Sequence, residues 1–323
     1  MKANQFSIKA SHVIFAVIFL VLPFILRGAY MHNILVVFGI YCLLAMSVNI
    51  VVGYMGEVTL GTAAFFGIGA YTSALLGKTF GLSFLLSAPC GMILAGLVGL
   101  LLGYITLRLS GPYFAITTLV FAEIIKLIST NWVSLTRGPM GLTQIPFPTF
   151  NILGIYKFRL TSEVQYYYFI FILVVIALVV INNFIKSPSG RALLAQRDHK
   201  DLARSVGINA TNYRLLAFVG STMLAGLAGA VYAHHFRILS PENLAVYYSA
   251  LPLLMVFIGG KGLLFGPLVG AAIFSALPEI LRIAEHIRMA IFSALLIITI
   301  TFMPDGIVAK VNGFFKKSEA RHK

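Results

Sequence analysis

Charged side chains are scarce in this 323-residue chain. They make up 11% of it, with only 10 acidic residues, against roughly 25% charged in an ordinary soluble domain. That shortage excludes a soluble globular protein. Cysteine is nearly absent too: Cys42 and Cys90 both lie inside apolar runs, where a thiol packs as a small apolar group, so no disulfide or redox pair is read from them. No Cys, Asp or His set has ligand spacing, and no metal site is expected. A phosphate loop needs G-x-x-x-x-G-K-[ST] so that backbone amides wrap the phosphates; the nearest string, TSALLGKT at 72–79, has Thr72 where the first glycine belongs. The chain is therefore not expected to hydrolyse ATP, and no nucleophile and base are paired for any other enzyme chemistry.

What the sequence has instead is apolar length. It is 59% hydrophobic with a mean hydropathy of +0.93, and a hydrocarbon layer about 30 Å thick takes ~20 apolar residues per helix. Spans are expected near 13–26, 33–52, 61–77, 88–107, 111–131, 166–185, 215–235, 247–260, 263–281 and 289–303. The first reads as a retained helix, because no small-x-small cleavage site follows it. The expected architecture is an all-α integral membrane protein of about ten transmembrane helices, one permease-like domain over 1–323, with an inverted five-plus-five repeat as an option. With the N-terminus inside, fifteen of the 24 basic residues fall on inner segments, eight on outer ones, and Lys126 within the membrane. That satisfies the positive-inside bias and places both termini in the cytoplasm. The net charge of +14 thus follows topology, and no nucleic-acid partner is read from it.

Two connections are long: 132–165 on the outer face, rich in Pro and Gly and carrying the single tryptophan, and 186–214 on the inner face. Within the latter, 191–206 reads as a helix. Ala192, Ala195, His199, Leu202, Ala203 and Val206 fall on one side, and Arg197, Asp198, Lys200, Asp201, Arg204 and Ser205 on the other, while Leu193 and Leu194 do not fit this division. Ser187 or Ser189 suits its start and Gly207 its end. Such a helix either lies in the membrane interface or docks into a protein groove; its small apolar side favours the groove.

Other features carry two readings each. Glycine is dense at 53–71 and 259–272, which suits either close helix contact, as through Gly266 and Gly270, or helices broken at membrane depth. Glu123 and Lys126, three residues apart, can face one another as a structural ion pair or line a translocation path. His234 and His235 read as interfacial, and Tyr166, Tyr167 and Tyr168 as an aromatic belt.

Several strings resemble a known family. GRALLAQRD at 190–198, DLARSVGIN at 201–209, YRLLAF at 213–218, GYMGEVTLGTAAFFGIGAYTSALL at 53–76, GPYFAITTLVFAEI at 111–124, GGKGLLFGPLVGA at 259–271 and MPDGI at 303–307 are together similar to permease subunits of bacterial branched-chain amino acid ABC importers, the M-type subunit in particular. The resemblance implies a multi-pass inner-membrane protein that moves leucine, isoleucine or valine, paired with a second homologous permease. It also implies a periplasmic binding protein and cytoplasmic ATPase subunits, which hold the ATP and magnesium; no cofactor sits on this chain. Asp201, Leu202, Ala203 and Gly207 then stand at the coupling element that docks on the ATPase, with Arg197 and Asp198 beside it. Pathway residues are expected among Glu57, Thr59, Thr62, Tyr113, Glu123 and Lys126. Glu57 stands where relatives often have Gln, and Thr62 where they often have His. Arg137, Arg237 and Glu242 are expected to meet the binding protein. The competing reading is an ion-coupled secondary transporter or channel for small solutes.

Overall fold

A computed structural model describes residues 19, 23, 28–152, 156–205, 210–280, 306–308 and 310. Apart from Phe19 and Pro23, the expected first span, and all of the expected tenth at 289–303, lie outside the described residues. The described part is mostly helical. Helix α1 (Ala29–Asn49) runs without a break into a π-helix (Ile50–Met55); α2 (Thr62–Thr79), α3 (Phe84–Thr106) and α4 (Pro112–Asn131) follow. After the outer connection come α6 (Glu163–Lys186), α7 (Pro188–Asp198), α8 (Lys200–Ser205), α9 (Ala210–Phe236), α10 (Tyr247–Gly259) and α11 (Gly266–Ile280). Among the described residues five stretches are long and apolar enough to cross a membrane: Tyr30–Met55, Phe84–Thr106, Pro112–Asn131, Glu163–Lys186 and Thr211–Phe236. Two shorter apolar helices, Tyr247–Gly259 and Gly266–Leu277, accompany them.

Helix α1 is the axis of the bundle. Its residues from Leu35 to Val52 are almost all buried, whereas α3, α4 and α6 keep rows of Leu, Ile and Val exposed on one side. In water such rows would be a liability; in hydrocarbon they are an ordinary lipid-facing surface. The two readings of the glycines divide between the two segments. At 259–272 close contact wins: a Cβ on Gly270 would lie 1.8 Å from the Met255 carbonyl oxygen, so α10 and α11 touch backbone to backbone. At 53–61 interruption wins, since the π-helix stops at Gly56 in the left-handed region (φ 78°) and no helix resumes until Thr62.

The connection at 132–165, expected on the outer face, is more ordered than a Pro-Gly loop suggests. It holds α5 (Val133–Thr136), β1 (Leu142–Thr143) and a hairpin of β2 (Thr149–Ile152) and β3 (Tyr156–Arg159). β1 pairs antiparallel with β4 (Ile238–Leu239), which stitches this connection to the one after α9. The Phe147 ring lies against both Arg237 and Arg159, whose guanidinium carbons stand 4.2 and 4.5 Å from its centroid.

Two expectations for this end are corrected. His234 is not interfacial but buried: its Nδ1 donates to the Pro146 carbonyl (2.8 Å), so the Nε2 of the neutral ring accepts from Ser73 Oγ (3.0 Å), which in turn accepts from Ser87 (3.0 Å). Tyr166 and Tyr167 are not a belt either. Both are buried, and their hydroxyls donate to the His234 and Phe19 carbonyls. An aromatic run at a span end looks alike in sequence whether its hydroxyls meet headgroups or buried carbonyls.

Candidate functional site

The functional candidate is the break after the π-helix, at the end of the bundle that the charge pattern places inside. Six residues without helix would leave backbone amides unpaired at membrane depth, and side chains supply partners, two of them from distant elements. Leu60 N–H donates to Thr118 Oγ1 (3.1 Å), Gly61 N–H to Thr59 Oγ1 (3.2 Å) and Ala63 N–H to Ser249 Oγ (2.8 Å). On the other flank, Asn49 donates to the Leu263 carbonyl and accepts from Gly262 N–H, both at 2.9 Å. A Cβ on Gly53 would lie 2.3 Å from that same Gly262 nitrogen, so only glycine fits this crossing.

Glu57 sits in the break at 3% exposure. One carboxylate oxygen accepts from Arg214 Nη2 at 2.7 Å and the other from Gly111 N–H, just before α4, at 2.8 Å. Arg214, itself only 12% exposed, also donates to the Leu107 carbonyl at the end of α3 (3.2 Å). One buried ion pair therefore joins the break, the α3–α4 corner and the first turns of α9. Charge-assisted bonds of this kind are stronger and shorter than neutral ones.

Arg197, near the end of α7, donates from Nη1 to the Gly53 carbonyl at 2.7 Å and pairs with Asp198 at 2.9 Å. Its aliphatic stem covers Gly56, where a Cβ would lie 2.7 Å from Arg197 Cγ. The amphipathic segment is thus bonded directly to the interrupted helix. Beside this contact opens a cavity of about 590 Å³, with Val58, Arg197, Asp198, Phe257 and Lys261 in its wall.

The segment itself differs from the expected 191–206 helix. Ser187 caps α7 by accepting from Gly190 N–H (3.2 Å), but the helix stops at His199, whose backbone is extended (φ −147°, ψ 92°), and α8 is a separate turn. The buried side of α7 is Gly190, Leu193 and Gln196, while Ala195, His199 and Leu202 face outward. Leu193, which had not fitted the expected division, is the anchor. A helical wheel assumes unbroken periodicity, and it cannot register that Arg197 turns inward to reach a carbonyl.

The expected site residues fall into separate groups. Glu57, Thr59 and Thr62 are buried together at the break, with Arg197 and Asp198 at its mouth. Leu202 is 67% exposed and Ala203 buried; Asp201 belongs to α8, and Gly207 lies outside the described residues. Tyr113, at 71% exposure near the start of α4, is not buried with Glu57, Thr59 and Thr62. Lys126 does not pair with Glu123: its Nζ reaches Glu242 at 3.6 Å, joining α4 to the outer connection after α9. Arg237 donates from Nε to the Ile145 carbonyl (3.0 Å), and Arg137 is an exposed corner at φ 62°.

Sequence reasoning passed over Asn49, Thr118, Arg214 and Ser249 as site residues. Arg214 had a signal, since it is a lone base directly before an apolar run, matching the lone acid Glu57. The neutral three had none, being single polar residues within apolar spans.

A family model described as branched-chain amino acid transport system / permease component matches residues 30–300. The high-affinity branched-chain amino acid transport system permease protein LivM of Salmonella typhimurium is 34% identical over 289 residues, 83% of this chain and 68% of that protein. LivM of Escherichia coli K12 is 34% identical over 288 residues, with the same coverage of 83% and 68%. A probable branched-chain amino acid transport permease protein LivH of Methanocaldococcus jannaschii is 26% identical over 256 residues, 77% of this chain and 78% of that one. No solved structure matches. With most of its length matched by the family model and with several apolar membrane-crossing helices, this multi-pass membrane chain belongs to the permease components of branched-chain amino acid transport systems.

Proposed function

We propose that this chain is the transmembrane permease subunit of an ATP-driven importer of leucine, isoleucine and valine. It resides in a bacterial inner membrane with both termini cytoplasmic and pairs with a second, homologous permease. A periplasmic binding protein docks on the stitched outer connections near Arg137, Arg237 and Glu242. Separate ATPase subunits, holding ATP and magnesium, dock on 186–214 at α7 and α8, where exposed Leu202 offers an apolar anchor.

The observation that carries this reading is the bond from Arg197 to the Gly53 carbonyl. A shift of α7 must drag the interrupted helix with it or break a hydrogen bond to a charged group, worth roughly 1.5–3 kcal/mol. Work done on α7 by ATPase closure thus reaches the central helix by one short link, and alternating exposure of the pathway follows as a shift between two packed states. The ion-coupled alternative, which would use Glu57 or a Glu123–Lys126 pair, draws less support, because Glu57 is held in an ion pair with Arg214 and Lys126 pairs with Glu242 instead of Glu123.

The test is copurification in mild detergent with the ATPase subunits, for the wild type and for Leu202→Asp and Gly207→Trp. The expected result is about tenfold lower ATPase retention in the Leu202→Asp variant, the scale of losing one apolar anchor, with a similar loss for Gly207→Trp and with the bundle's unfolding midpoint unchanged. Wild-type retention in both variants, or no ATPase with the wild type, sinks the coupling role. Stimulation of ATP hydrolysis by a binding protein loaded with leucine rather than urea tests the substrate separately.

A further inference from the structure

Between α3, α6 and α9 lies a second cavity, of about 450 Å³ and almost wholly apolar. Its walls run from Leu173 to Phe184 on α6 and from Leu216 to Leu227 on α9, and Gly220 forms part of its floor. It opens sideways: Ile176 and Val180 on one wall and Leu216 on the other are exposed, on the faces that meet hydrocarbon. A Cβ placed on Gly220 would meet no atom within 4 Å. At membrane depth such a slot is not left void, because its lining atoms would forfeit their dispersion contacts.

The shape of the slot selects its occupant. Each wall spans twelve residues, or ~18 Å at 1.5 Å per residue. A polymethylene chain, whose carbons pack at about 4 Å, can lie along such a lane and fill the space that Gly220 leaves open. The end of the slot is basic: Phe184 is followed by exposed Lys186, and Arg191, also exposed, folds back to donate to the Lys186 carbonyl at 2.7 Å. Two cations thus stand one turn beyond the apolar lane, at the depth of lipid phosphates.

We propose that this slot binds one acyl chain of an anionic phospholipid, with its phosphate held by Lys186 and Arg191. The lipid belongs to the leaflet facing the Pro188–Ser205 segment, and wedges α6 against α9 directly beside α7.

The test uses the full chain, purified and exchanged into nanodiscs of phosphatidylglycerol or phosphatidylcholine, then released for native mass spectrometry. The wild type is expected to retain a tightly bound phosphatidylglycerol, favoured over phosphatidylcholine by roughly fivefold for each of the two cations. Gly220→Phe, which fills the slot, is expected to lose that lipid. The double variant Lys186→Gln/Arg191→Gln is expected to bind the two lipids equally. A photoreactive side chain at Leu216, an already exposed position, is expected to cross-link to lipid. Equal lipid retention in the wild type and Gly220→Phe overturns the proposal, and so does a Leu216 cross-link that leads to a second protein chain.

Discussion

Breaking the Glu57–Arg214 pair is the sharpest test of the break as a structural unit. At 3% and 12% side-chain exposure, neither charge is relieved by solvent when its partner is removed, and orphaning one member of such a pair costs about 3–5 kcal/mol. Arg214→Met takes the guanidinium away from the buried Glu57 carboxylate, which keeps the Gly111 amide, and removes a donor from the Leu107 carbonyl. That variant is expected to lose about 3–5 kcal/mol. Glu57→Gln keeps the shape and one acceptor, so its loss is expected at the lower end, about 2–3 kcal/mol. The combined variant Glu57→Gln/Arg214→Met has no uncompensated charge, and is expected to be more stable than the sum of the single losses by at least about 2 kcal/mol. The assay is reversible unfolding in mixed detergent micelles, followed by the fluorescence of Trp132, the chain's single tryptophan, and by far-UV circular dichroism. Single losses under about 0.5 kcal/mol that simply add would show that the pair does not hold the break.

Two further outcomes follow from the outer end. His234→Ala should destabilise the bundle by about 2–4 kcal/mol, because Ser73 and the Pro146 carbonyl both lose a buried partner; an unfolding midpoint within error of wild type refutes the relay. Lys126→Ala should change stability by less than about 1 kcal/mol, since Glu242 is 80% exposed and the pair is screened by solvent. An effect of several kcal/mol in the same unfolding assay would mean that Lys126 carries more than this pair.

The sequence made the membrane helices legible because length and hydropathy are enough to specify a span. The break at 56–61 was legible only as an alternative: glycine serves close packing and interruption equally well, and composition cannot say which. What decides it is who satisfies the exposed amides, and Thr118 and Ser249 lie 58 and 186 residues from their partners. The same limit explains Glu123 and Lys126. A three-residue spacing makes them neighbours on one helix, yet Lys126 is drawn to Glu242 on a connection that β1 and β4 hold in place. Local periodicity likewise assigned α7 the wrong buried side, because contacts that it does not register, the packing of Gly190 and Leu193 and the long-range bond from Arg197 to Gly53, hold the helix.

These bonds are distributed unevenly between the two ends of the bundle. At the outer end the ion pair is long and solvated, 3.6 Å with Glu242 largely exposed, and opening it costs about 0–1 kcal/mol. At the other end the pair is short and buried at 2.7 Å, and breaking it costs several times more. Under the proposed cycle, a permease must open toward each side in turn, and it will open where separation is easiest. The break, the α3–α4 corner and the start of α9 should therefore move as one block with α7, while the Lys126–Glu242 contact separates. Spin labels on Ala195, exposed on α7, and on Tyr113 should keep their distance through the ATP cycle of the assembled transporter, whereas labels on Leu127 and Tyr247 should move apart; the reverse pattern would place the rigid block at the wrong end.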